Sequence, residues 1–157
     1  MRIEFTVPGV PVSQPRVKFS TRGGFAKAYT PTSTKQADGS KKSNGVAEFK
    51  SLVKLCARQA YQGVPLDMPV RVDCRWVFPR EKGKVWKNKP MPRYPHVVKP
   101  DRDNLDKMIL DSLVGVVLAD DNCVCAGYLE KWRASGDEQP HVVVTITKLN
   151  PLAEPQR

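Results

Sequence analysis

The sequence predicts an α+β domain, with a mixed sheet of about four strands and two helices packed on one face, in the order β-α-β-α-β-β. Three observations carry this expectation. Residues 2–7, 70–78 and 141–149 alternate apolar and polar side chains or carry a β-branched run. Two stretches, 46–61 and 103–115, repeat apolar side chains at helical spacing. A chain of 157 residues is one domain long, and a domain of that size buries about 70% of its unfolded surface. Residues 1–149 are therefore expected to form a single domain with long basic loops near 12–45 and 79–100. Residues 150–157 read as a frayed polar tail.

The first strand puts Ile3, Phe5 and Val7 on one face, and Pro8-Gly-Val-Pro11 ends it. Residues 12–45 have no clear period and are rich in Ser, Thr, Gly, Pro and Lys, so they read as a long loop. In helix 46–61 Val46, Phe49, Val53 and Cys56 or Ala57 follow helical spacing, as do Leu52, Leu55 and Ala60. Ser43 or Asn44 can cap it, and Gly63 with Pro65 stops it. In strand 70–78 one face holds Val70, Val72, Cys74, Trp76 and Phe78. Residues 79–100 are again irregular. The second helix begins at Asp103 or Asn104 and buries Leu105, Met108, Ile109, Leu113 and Val116. Asp103 is its expected N-cap with Asp106 near N3, and Asp103 and Lys107 share an edge. The turn Ala119-Asp-Asp-Asn122 leads to a strand over 123–132, and a last strand contains residues 142–147.

Charge is divided along the chain. Residues 1–100 hold twenty Lys and Arg against six Asp and Glu, whereas residues 101–157 hold six against ten. The net charge of +10 favours an anionic partner such as nucleic acid. Arg16, Lys18, Arg22, Lys27, Lys35, Lys41 and Lys42 make the first loop either a tether or a flap over DNA, and Gln14-Pro-Arg16 is the part most expected to act. In the second loop Arg80, Lys82, Lys84, Lys87, Lys89, Arg93 and Lys99 interleave with Trp86, Tyr94 and His96, a mixture suited to phosphate contact and base stacking. No apolar run approaches the roughly 20 residues of a membrane span, and the N-terminus reads as a strand instead of a signal peptide. A cytoplasmic protein with no membrane partner is expected. Cys56, Cys74, Cys123 and Cys125 are expected to stay reduced. Cys123 and Cys125 should share a buried strand face, since the spacing of the others does not complete a zinc site. Both histidines, His96 and His141, are expected at the surface.

Six aspartates fall between Asp101 and Asp121. Carboxylates set in a basic surface suggest Mg²⁺ acting on a phosphate backbone, with Mn²⁺ as a substitute. Asp101 and Asp103 would approach the ion from the start of the second helix, Asp121 from the turn beyond it with Asp120 beside it, and Lys107 would neutralise the phosphate. Asp106 suits a cap, and Asp111 suits a basic neighbour.

The run Pro100-Asp-Arg-Asp-Asn-Leu-Asp-Lys107, then Asp111-Ser-Leu and Leu118-Ala-Asp-Asp-Asn-Cys-Val124, resembles the RusA family of Holliday-junction resolvases. Val10-Pro-Val-Ser-Gln-Pro-Arg16 is similar to that family's N-terminal loop entry. The resemblance implies a homodimeric, Mg²⁺-dependent endonuclease that cuts four-way DNA symmetrically, with Asp101, Asp103 and Asp121 catalytic and Lys107 supporting. The longer basic loops leave open a broader nuclease for branched or fork DNA. A non-catalytic DNA-binding protein is the remaining alternative.

Overall fold

The computed structural model describes residues 1–21 and 23–150. Arg22 and most of the expected tail, 151–157, lie outside the described residues. In chain order the strands are β1 (Arg2–Pro8), β2 (Lys18–Ser20), β3 (Lys27–Tyr29), β4 (Ser33–Lys35) and β5 (Lys41–Ser43). Helix α1 (Val46–Ala60), β6 (Val70–Phe78), β7 (Tyr94–Pro95) and helix α2 (Arg102–Leu113) follow. The chain closes with β8 (Val124–Ala126), β9 (Leu129–Arg133) and β10 (His141–Lys148). The α+β architecture is as expected, with two more strands in the main sheet.

That sheet runs β1-β10-β6-β9-β7, with β8 also paired to β6. β10 lies antiparallel between β1 and β6, whereas β8 and β9 run parallel to β6, so the sheet is mixed. The register aligns Ile3 with Ile146 and Val72, Phe5 with Val144 and Cys74, and Val7 with Val142 and Trp76. These rows form one buried face, covered by Val46, Phe49, Val53 and Ala57 of α1 and by Leu105, Met108, Ile109 and Leu113 of α2. Each fully buried aliphatic side chain contributes about 2 kcal/mol of transfer free energy. Trp76 stacks between Phe49 and Phe78, at centroid distances of 6.1 and 6.5 Å.

Several local expectations change. The strand expected over 123–132 is broken in two at Gly127. A Cβ there would sit 2.0 Å from the Val72 carbonyl oxygen, so only glycine allows this approach to β6. Cys123 falls in the 3₁₀ turn Asp121–Cys123 and is half-buried, while Cys125 is exposed, so the two thiols do not share a buried strand face. The loop 12–45 contains two small hairpins, β2–β3 and β4–β5. Gly45, in the left-handed region at φ 74°, takes the N-cap position of α1, while Asn44 Oδ1 accepts from the Val46 N–H and Ser43 Oγ bonds Glu48. Of the two apolar sets on α1, Val46, Phe49, Val53 and Ala57 are buried, whereas Leu55 is exposed.

Candidate functional site

Helix α2 begins at Arg102, and its cap lies two residues earlier than the expected Asp103. Its N-cap residue is Asp101, whose carboxylate makes no capping hydrogen bond, and Asp103 lies in the first turn. Asp106 is therefore beyond N3, and burial raises its carboxyl above the ordinary range, partly opposed by Arg102. Asp101, Asp103 and Lys107 are all exposed. The side chains of Asp103 and Lys107 form no ion pair, although they are one turn apart.

The approach to Asp101 is rigidly built. Lys131 shares the helix-facing side of the sheet with Trp76, its register partner. Its Nζ donates to the carbonyls of Val98 and Pro100 at 2.9 and 2.7 Å. His96, expected at the surface, is only 4% accessible. It stacks on Phe78 at 4.3 Å, and its Nε2–H donates to the Lys99 carbonyl at 3.0 Å. Burial, aided by the Arg133 charge, lowers its pKa below the usual value, which keeps the ring neutral. The sequence signal for Lys131 was a charge, shared with Arg133, on the inner side of a β-alternation, and nothing in the sequence marked His96 as buried.

The segment holding Arg16 is pinned to the same helix. The Gln14 N–H donates to the Asn104 carbonyl at 3.0 Å, and Gln14 Nε2 donates to Asp111 Oδ2 at 2.7 Å. Lys50 of α1 reaches the same oxygen at 3.3 Å, so Asp111 does have the basic neighbour expected of it. Ser13, Gln14, Arg16, Lys99, Asp101 and Asn104 line an open cleft of about 650 Å³. Arg16 and Lys99 thus flank Asp101.

At the other end of α2, residues 113–119 turn back on themselves. The Leu66 N–H donates to the Val117 carbonyl, and the Ala119 N–H donates to the Leu66 carbonyl, at 2.7 and 2.9 Å. This clamp fixes the Asp120-Asp121 turn. Asp120 Oδ1 accepts from the Asn122 N–H at 2.9 Å, and the Asp121 carboxylate is exposed with no partner among the described residues.

The two aspartate pairs are not brought together within the chain. Between them runs the 12-residue α2, about 18 Å long at helical rise. Along β6 the spacing is similar: Val124 pairs with Val70 and Lys131 with Trp76, about 20 Å apart at strand rise. Among the described residues, no three His, Cys, Asp or Glu side chains gather closely enough to hold a metal ion.

The lysines of loop 79–100 and Arg93 are exposed, whereas Arg80 is half-buried and bonded to backbone carbonyls, so the basic residues are not equally free. Lys82 and Lys84 lie in a 3₁₀ turn, and Lys84 pairs with Glu81 at 3.3 Å. Arg93 is tied to Glu138, whose carboxyl is held down at about 2, chiefly by the Arg93 guanidinium. Trp86 lies near Arg80 and Lys89, at 5.9 and 6.0 Å from its ring. Lys87, Lys99, Arg16 and Lys18 carry no carboxylate partner among the described residues.

No helix among the described residues is long and apolar enough to cross a membrane. No curated protein matches the chain. The family model described as Endodeoxyribonuclease RusA matches residues 8–147.

Proposed function

Because the chain belongs to the RusA family of endodeoxyribonucleases, we propose that it cuts four-way DNA junctions in symmetric pairs, as a homodimer dependent on Mg²⁺, with Mn²⁺ able to substitute. The observation that carries this reading is two pairs of exposed carboxylates, one at the start of α2 where Asp101 lines a basic cleft and one in the turn beyond its end. Asp101, Asp103, Asp120 and Asp121 are the residues that would hold the ion. They offer only oxygen donors, and three of the four spend none of them on protein hydrogen bonds, a set that suits a hard cation.

Bound Mg²⁺ supplies polarisation of a phosphoryl oxygen and positive charge for the leaving oxygen. The remaining work belongs to the chain. Lys107 lies one turn beyond Asp103 and has no carboxylate partner among the described residues, so its ammonium can meet charge developing on the phosphate. Arg16 and Lys99 hold the strand in the cleft beside Asp101. Gln14, anchored to Asn104 and Asp111, keeps Arg16 there.

The separation of the two pairs makes assembly part of the chemistry. A second chain must bring its Asp120 and Asp121 toward the Asp101 and Asp103 of the first. A twofold axis then creates two equal sites, which a symmetric junction can engage together.

Cleavage of a synthetic four-way junction in Mg²⁺, against a fork and a linear duplex, tests the proposal. Paired symmetric cuts in the junction are expected. Equal cutting of the fork would favour a broader branched-DNA nuclease. Binding without cleavage, in Mg²⁺ and in Mn²⁺, would make the chain a binding protein and defeat the proposal.

A further inference from the structure

The β2–β3 hairpin and its flanks expose Val17, Phe19, Phe25 and Tyr29, at 39, 75, 78 and 49% accessibility. Isolated exposed apolar side chains are ordinary, but such a cluster on one ribbon marks an interaction surface. The register pairs Lys18 with Tyr29, Phe19 with Ala28 and Ser20 with Lys27. Strand alternation therefore puts the Phe19 ring on one face of the ribbon and the Tyr29 ring on the other. Lys18 and Lys27 share the Tyr29 face.

The surroundings specify the partner's charge. No Asp or Glu occurs between Glu4 and Asp38, while Arg16, Lys18, Lys27 and Lys35 do. A partner for this ribbon must bear negative charge and offer flat apolar faces. Unpaired bases joined by phosphates have both properties. The aromatic residues of loop 79–100 are less available. Arg80 and Lys84 lie 4.9 and 4.7 Å from the Tyr94 ring, and Arg80 and Lys89 attend Trp86.

We propose that the β2–β3 hairpin is a stacking wedge for unpaired bases, with Phe19 and Tyr29 each receiving a base on opposite faces and Lys18 and Lys27 holding the adjoining phosphates. A ribbon with one ring on each side fits the point where two base stacks part. The inference rests on the reading of the chain as a protein that acts on DNA, and it gives that reading a branch-recognising element.

The test compares binding of a short oligothymidylate with binding of a linear duplex, without divalent metal. Phe19→Ala and Tyr29→Ala should each weaken oligothymidylate binding about tenfold and change duplex binding by less than about twofold, since losing one base–aromatic stack is felt only where bases are unpaired. Phe19→Leu keeps apolar volume without a ring, and it should lose as much as Phe19→Ala. Ultraviolet crosslinking should join thymine to Phe19 or Tyr29. Equal losses on both DNAs, or wild-type binding by Phe19→Leu, would overturn the wedge. So would a shift from dimer to monomer in light scattering without selective loss on unpaired DNA, which would make a second copy of the chain the occupant. The readout needs neither metal nor junction. Ring-dependent oligothymidylate binding by a protein that cuts no junction would therefore remove the cleavage proposal alone. Junction cutting with normal oligothymidylate binding by all variants would remove the wedge alone.

Discussion

Asp101 stands at the start of a helix and caps nothing. An aspartate there ordinarily accepts a backbone N–H from the first turn, so an open carboxylate forgoes that stabilisation and leaves its oxygens accessible. Asp101→Asn, Asp103→Asn and Asp121→Asn should each abolish junction cleavage while leaving binding and circular dichroism unchanged. Near-normal cleavage by all three would sink the assignment. Gln14 is the opposite kind of residue, buried with its backbone N–H bonded to Asn104 and its side-chain amide to Asp111. Gln14→Leu keeps its bulk but removes the bond to Asp111, and chemical denaturation should report a loss of about 1 kcal/mol. The aspartates stand out in the sequence as proposed ligands because residue type and spacing are read locally. Gln14 and Asp111 were not legible as a pair, because they are 97 residues apart in sequence. His96 was misplaced for the same reason: Phe78 and Lys131, which bury it, arrive from other strands.

At the scale of elements, helices and long strands followed their periodicity, whereas short ladders did not announce themselves. β4 and β5 have three residues each and no β-branched run. Their turn is held by local bonds, Gly39 N–H to the Gln36 carbonyl and Ser40 to Asp38. The end of loop 79–100 also proved anchored, through Arg93 and Glu138. The Glu138 carboxyl titrates at about 2 in the fold against an ordinary 4.5. A depressed carboxylate contributes stability above its unfolded pKa and loses it as pH falls through the folded value. Glu138→Gln should therefore melt below wild type at pH 7, and the difference should shrink between pH 4.5 and about 2. A difference independent of pH would show that the ion pair is not its source. In the same loop, neutralising Lys84, Lys87 and Lys89 together should weaken DNA binding and flatten its salt dependence by about 0.9 log–log units per lost phosphate contact. Lys84, already paired with Glu81, should contribute least of the three. An unchanged slope would make the loop a solvated face.

For the whole molecule, the distance between the aspartate pairs predicts how defective chains combine. Asp101→Asn and Asp121→Asn chains should each be inactive alone. When mixed and allowed to exchange, about half the dimers are hybrids, and each hybrid regains one intact site if the site spans two chains. Nicking should then return to about a quarter of the wild-type rate, the statistical expectation for a twofold dimer. Sites complete within one chain would give no recovery. Light scattering at micromolar concentration should report about twice the chain mass. The order of strands across the sheet was the least legible feature of all, since patterning identifies a strand's buried face and not its neighbour.

That order governs how the molecule can be made. The last strand, β10, sits between β1 and β6, so among the described residues β1 meets its only partner in the main sheet at residues 141–147. A ribosome adding roughly 5–20 residues per second leaves β1 waiting on the order of ten seconds or more with its edge unsatisfied. Helix α1, which packs on β1 and α2, waits with it. Pairings this distant in sequence make folding slow and aggregation-exposed. The nascent chain should therefore stay protease-sensitive until β10 has left the exit tunnel, and high-temperature expression should yield insoluble protein more readily than the stability of the finished domain would suggest.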